Sequence, residues 1–122
     1  MAHEVVTVKV VMHTANEIAI SIDKEPVHLR NVGPGEHVRW EIHPDSAGWT
    51  FTQHSSGAST GVAIKEAGDA FHDHGGANHQ KHHRWQRKVK DNKVYSYAIS
   101  VTNGTVAKTP TTLTWDPYLV ND

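Results

Sequence analysis

The chain has 122 residues, 37% of them apolar, with a mean hydropathy of −0.55 and a formal charge of −1 when its histidines are neutral. That is one ordinary domain, 1–122, too short for a catalytic domain plus a second globular unit and too apolar for the disordered class. Cysteine is absent, which excludes disulfides, thiolate metal sites and thiol nucleophiles, and the near-neutral charge argues against a nucleic-acid binder that neutralises many phosphates.

The dominant period along the chain is two. Val6, Val8, Val10 and Met12 alternate with polar or smaller neighbours and predict a first strand; Ile18, Ile20 and Ile22 predict a second. Pro26 to Asn31 reads as a short edge segment before the turn Val32-Gly33-Pro34-Gly35. Val38, Trp40 and Ile42 then point one way while His37, Arg39, Glu41 and His43 point the other, as in a sheet with one core face and one wet face. Pro44 to Gly48 turns the chain into the strand Trp49 to Gln53, and a small-residue stretch from Ser55 to Gly61 precedes a short strand at Val62 and Ile64.

Residues 66–83 carry little apolar content and read as one long loop, after which a strand runs from Arg84 to Val89. Asp91-Asn92 marks a hairpin turn, Tyr95, Tyr97, Ile99 and Val101 form the next inward face, and Asn103-Gly104 is a strong turn signal. Leu113 and Trp115 sit on the last strand, where Asp116-Pro117 ends pairing or makes a bulge. No sustained helical stripe and no internal repeat is present. The expectation is an all-β, antiparallel two-sheet sandwich with one long histidine-rich loop.

The run Asp91-Asn92-Lys93-Val94-Tyr95-Ser96-Tyr97 resembles the tyrosine corner of immunoglobulin-type sandwiches, with Tyr97 where the second cysteine would sit and Trp40 where a buried strand tryptophan would pack. Gly35 to Trp40, the Tyr-x-Tyr strand running into Val101-Thr102-Asn103-Gly104, and Trp115-Asp116-Pro117 look like small bacterial cupredoxin-like or Ig-like proteins of uncharacterised function. The resemblance implies architecture and no activity. A blue-copper centre needs a cysteine thiolate, and this chain has none, so electron transfer is not implied.

The constellation with chemical content is His72-Asp73-His74-Gly75-Gly76-Ala77-Asn78-His79-Gln80-Lys81-His82-His83. If 72–74 is extended, His72 and His74 project from one face, roughly 7 Å apart at Cα. If 79–83 forms a helical turn, His79 meets His82 and His83 at i+3 and i+4. Imidazoles bind zinc, nickel and copper(II), and Asp69 or Asp73 could add oxygen, so His72, His74, His79, His82 and His83 are the candidate metal ligands. The spacing matches no established zinc pattern, and the competing reading is a solvated loop rich in histidine. His37 and His43 lie on an outward strand face; His3, His13 and His28 read as surface residues, and His54 ends a strand.

Enzymatic signatures are weak. His72-x-His74 resembles the cupin metal motif, but positions 77–80 lack its glutamate; Ser55, Ser56 and Ser59 lie in a small-residue stretch with no nucleophile elbow; and Gly33-Pro34-Gly35 is a turn rather than a phosphate loop. Alternation puts Trp40, Trp49 and Trp115 in the core, and Trp85 is expected to plug the sandwich where the loop re-enters the sheet. Arg84, Arg87, Lys88, Lys90 and Lys93 read as a solvated strand face.

These observations predict a non-catalytic binding module, with a divalent metal ion held by the histidines of 72–83. The alternatives are a protein-interaction or self-association module with an incidental histidine loop, and a small metal-dependent enzyme. No membrane span is expected, since no apolar run nears the roughly 18 residues required. Without a visible signal peptide the default compartment is cytoplasmic, or periplasmic if the chain is a trimmed mature form.

Overall fold

A computed structural model describes residues 4–14, 17–46, 48–52, 61–75, 81–103 and 111–122. Among the described residues eleven strands are formed: β1 (Glu4–Thr14), β2 (Glu17–Ile22), β3 (Val27–His28), β4 (His37–Ile42), β5 (Thr50–Phe51), β6 (Val62–Ile64), β7 (Phe71–Gly75), β8 (His82–Arg87), β9 (Val94–Asn103), β10 (Thr111–Trp115) and β11 (Tyr118–Val120). A 3₁₀ turn, Pro44–Ser46, is the one helical element among the described residues, and no helix is long and apolar enough to cross a membrane.

The strands form two sheets, ordered β2-β1-β4-β8-β7 and β10-β9-β11-β3, with β5 and β6 also paired to β9. The expected alternation holds in β4, where Val38, Trp40 and Ile42 are buried and His37, Arg39 and Glu41 face outward. Val6 and Val8 of β1 share that inner face, opposite Trp40 and Ile42. The other sheet supplies Phe51, Val62, Ile64, Tyr95, Tyr97, Ile99, Val101 and Leu119.

Rings join the two layers. Trp40 packs against Tyr97 with centroids 5.2 Å apart, Phe71 meets Tyr95 edge-on at 5.1 Å, and Trp85 Nε1 donates to the Val62 carbonyl at 2.9 Å. Trp40 and Tyr97 are both fully enclosed, and burying each such ring contributes on the order of 2–3 kcal/mol. The fold is a β-sandwich-like pair of sheets sharing one core.

Five expectations need correction. β8 and β9 do not form a hairpin about Asp91-Asn92, since they belong to different sheets. Pairing is not antiparallel throughout: β1 runs parallel to β4, and β11 parallel to β3. A strand's own alternation shows which face is buried but not the direction of its neighbour. Between β1 and β4 the chain passes through β2 and then β3 in the other sheet, a crossover long enough for parallel pairing.

The stretch 66–83 is not one loop, since β7 occupies 71–75 and β8 begins at 82. Inward positions of β7 and β8 are held by the polar Asp73 and His83, which removes the apolar alternation that would have marked strands. Trp115 is 37% exposed rather than core. Arg87 leaves the basic surface cluster: it is buried, and its guanidinium donates to Asn121 Oδ1 at 3.3 Å and to the Asp122 backbone oxygen at 2.7 Å. Alternation through Trp85 places Arg87 inside, where hydrogen bonding offsets the cost of burying its charge.

Candidate functional site

β7 and β8 pair antiparallel, setting Phe71 opposite Arg87, His72 opposite Gln86 and Asp73 opposite Trp85. A one-residue irregularity between Asp73 and Gly75 brings Gly75 opposite Arg84. On its other side β8 pairs with β4, placing Gln86 opposite His37, Arg84 opposite Arg39, His83 opposite Trp40 and His82 opposite Glu41. β7 and β8, which carry the described histidines of the segment, are therefore the last two strands of the five-stranded sheet, with β7 at its edge.

The extended geometry separates the candidate ligands. His82 and His83 are consecutive in a strand, so they project to opposite faces, and the helical turn expected over 79–83 is not formed at 82–83. His82 faces outward, its Nε2 3.7 Å from Glu41 Oε1, while Arg39 donates to the same carboxylate oxygen at 2.6 Å. His83 points inward and is fully buried. Its Nε2 lies 2.9 Å from Asp73 Oδ1, and its ring meets Phe51 edge-on at 6.3 Å.

An ionised carboxylate only accepts, so Nε2 of His83 is the protonated nitrogen in this contact. Asp73 shares the inward side of β7 with buried Phe71. Its pairing with His83 was not foreseen, although the alternation Phe71, Asp73 against His83, Trp85, Arg87 contains the signal once both segments are read as strands.

His72 is exposed on the outer face, on the rung that holds Gln86 and His37. From Gln86 to His82 is four strand residues, roughly 13 Å, so His72 and His82 stand far apart. His74 lies in β7 but its side chain falls outside the described residues, as does His79 altogether; His3, His54 and the serines 55, 56 and 59 also lie outside them. Asp69 is exposed ahead of β7, away from the Asp73–His83 contact. Among the described residues, no group of three or more histidine, cysteine, aspartate or glutamate side chains could hold a metal ion.

The start of β8, next to the segment that joins it to β7, is tied to the body of the domain. The Lys81 carbonyl accepts from the Ile42 amide at 2.9 Å, and the Lys81 ammonium reaches the Trp49 carbonyl. Burial holds that ammonium below the usual lysine range.

A second cluster lies at the opposite end of β8. Asn121 donates to Asp91 Oδ1 at 3.0 Å and to the Val89 carbonyl at 2.8 Å, and Tyr95 donates its hydroxyl to the Asp91 carboxylate. Partial burial works to raise the Asp91 ionisation, but the donors Tyr95, the Lys93 amide and Asn121 outweigh it and hold the carboxyl below its ordinary value. Asp122 in turn binds His28, Arg30 and the Leu29 amide. This network fixes the chain's last segment and has the character of structure rather than chemistry. No protein-family model matches the chain, and no curated protein is significantly similar to it.

Proposed function

We propose that this domain is a non-catalytic binding module that takes one divalent transition metal ion, zinc, nickel or copper(II), at the far end of the β7–β8 hairpin. The ligands are His74, His79 and His82. What supports the reading is that His72 and His74 lie in β7 and His82 and His83 in β8, two strands that pair with each other, while His79 falls between them in sequence. His83 leaves the ligand set because its ring is enclosed and its Nε2 engages Asp73. His72 leaves it because two imidazoles on one ion, each with a metal–nitrogen bond of about 2 Å, do not span that separation from His82. The scaffold is of the cupredoxin-like or Ig-like kind, a reading supported by Trp40 packed at a tilt against Tyr97 and by the Tyr95–Asp91 hydrogen bond.

The test is calorimetric titration of metal-stripped protein with each ion, beside His72→Ala and the triple variant H74A/H79A/H82A. One equivalent is expected, retained in His72→Ala and lost in the triple. Superstoichiometric weak binding, or one equivalent surviving in the triple variant, overturns the reading. An interaction or assembly role is the second reading. It is favoured by the furrow in which Ile18 and Ile20 of β2 face Leu113 and the half-exposed Trp115 of β10.

A further inference from the structure

The outer face of the five-stranded sheet breaks a local rule of sheet construction. Arg39 of β4 stands directly opposite Arg84 of β8, which puts their Cβ atoms about 5 Å apart. Like charges so placed oppose strand pairing. A face selected only for solubility would set a carboxylate or hydroxyl on one side of that rung. One carboxylate is near, Glu41, and Arg39 takes it at 2.6 Å.

Elsewhere on the sheet the cations are matched: Lys9 with Asp45 at 3.3 Å, and Lys24 with Glu4. Among the described residues no anionic group pairs with Arg84, which is exposed, and Arg39 Nε is buried without a hydrogen-bond partner. Of the two guanidinium groups on this rung, one has a carboxylate partner and the other, exposed, has none among the described residues. Polar side chains flank them on both sides: His37, Gln86 and His72 on one rung, Glu41 and His82 on the other.

We infer that this face carries an oxyanion site, centred on the Arg39–Arg84 rung, for a ligand of the phosphate class. The guanidinium fork presents N–H donors in a plane that matches two phosphate oxygens, and a tetrahedral anion with several oxygens is shared by two such forks as a single carboxylate is not. Arg84 is exposed, so the anion is either free in solution or borne on a surface such as a phospholipid headgroup. The chemistry at the rung is the same in both cases.

Inorganic pyrophosphate titrated into metal-stripped protein, followed by amide and arginine Nε chemical shifts, tests the site. Saturable shifts are expected across 37–41 and 82–86. Loss of a charged hydrogen-bond partner should weaken affinity at least about tenfold in Arg84→Gln and in Arg39→Gln. Lys93→Gln, on the other sheet, should titrate like the parent. Arg84 is exposed, so its variant should keep the parental melting temperature. Phosphatidylcholine vesicles doped with phosphatidate form a second arm: co-sedimentation lost in Arg84→Gln assigns the headgroup as the source, and pyrophosphate binding alone assigns a free anion. Neither probe binding, or Arg84→Gln binding like the parent, overturns the inference.

Discussion

The contact between Asp73 and His83 ties the edge strand of the hairpin to the core, and its worth follows from its geometry. The Nε2–Oδ1 separation of 2.9 Å is near the optimum for an N–H···O bond; the imidazole is fully buried and the carboxylate side chain 42% exposed. Leaving a buried polar group without its partner costs about 1–3 kcal/mol. Water reaches the exposed side of Asp73 and lessens the loss, so Asp73→Ala should cost about 1–1.5 kcal/mol. For a chain of this length that is a fall of about 3–9 °C in Tm. His83→Ala also empties a fully enclosed position beside Phe51 and Trp40 and should cost about 2–5 kcal/mol. Urea denaturation of both single variants and the double, at unchanged m value, gives the coupling, expected near 1 kcal/mol. The nitrogen shifts of His83 should show its proton on Nε2. A coupling below about 0.3 kcal/mol, which is the scatter of independent sites, or a proton found on Nδ1 alone, would refute the view of this pair as an internal brace.

Two further outcomes follow from other parts of the fold. Burial, and then the Asp91 carboxylate that accepts its hydrogen bond, push the Tyr95 ionisation from 10.0 up to about 12. A raised folded-state value means that this stabilisation is complete below pH 10 and is lost as pH rises through about 12. Asp91 works with the opposite sign, its contribution present above its ordinary 3.8 and lost as pH falls through its lowered folded value. Stability scans at both extremes should show two losses that Asp91→Asn reduces together, and an unchanged alkaline limb in that variant would contradict the assignment. At Gly61, an added Cβ would lie 2.4 Å from Phe51 Cβ and 2.7 Å from its Cδ1. Gly61→Ala should therefore destabilise by about 1–3 kcal/mol, and a variant melting within a degree of the parent would show that β5 shifts freely.

The strands with a wet face and a dry face were legible from the chain alone. Val38-Arg39-Trp40-Glu41-Ile42 and Tyr95-Ser96-Tyr97-Ala98-Ile99 bury every second side chain, because a pleated strand offers alternate residues to one core. The edge placement of Val27-His28 was legible from a short segment that runs into a turn, and the interior position of Trp85 from a large ring where the chain re-enters the sheet. Absence of cysteine likewise fixed in advance that no thiolate chemistry operates here.

What the tertiary structure decided is where those strands meet. The parallel pairing of β1 with β4 depends on a crossover through the second sheet, which no local period encodes. The histidines of 72–83 are closely spaced in sequence, yet pairing of β7 with β8 turns His83 into the core, leaves His82 on the surface and sets His72 far along the strand. Arg39 and Arg84 are 45 positions apart in sequence, and the β4–β8 register alone brings them face to face. Alternation is a property of each strand's own backbone and can be read from its residues. Register and partner choice come from the sum of contacts over the whole core, so they exist only once the sheets have formed.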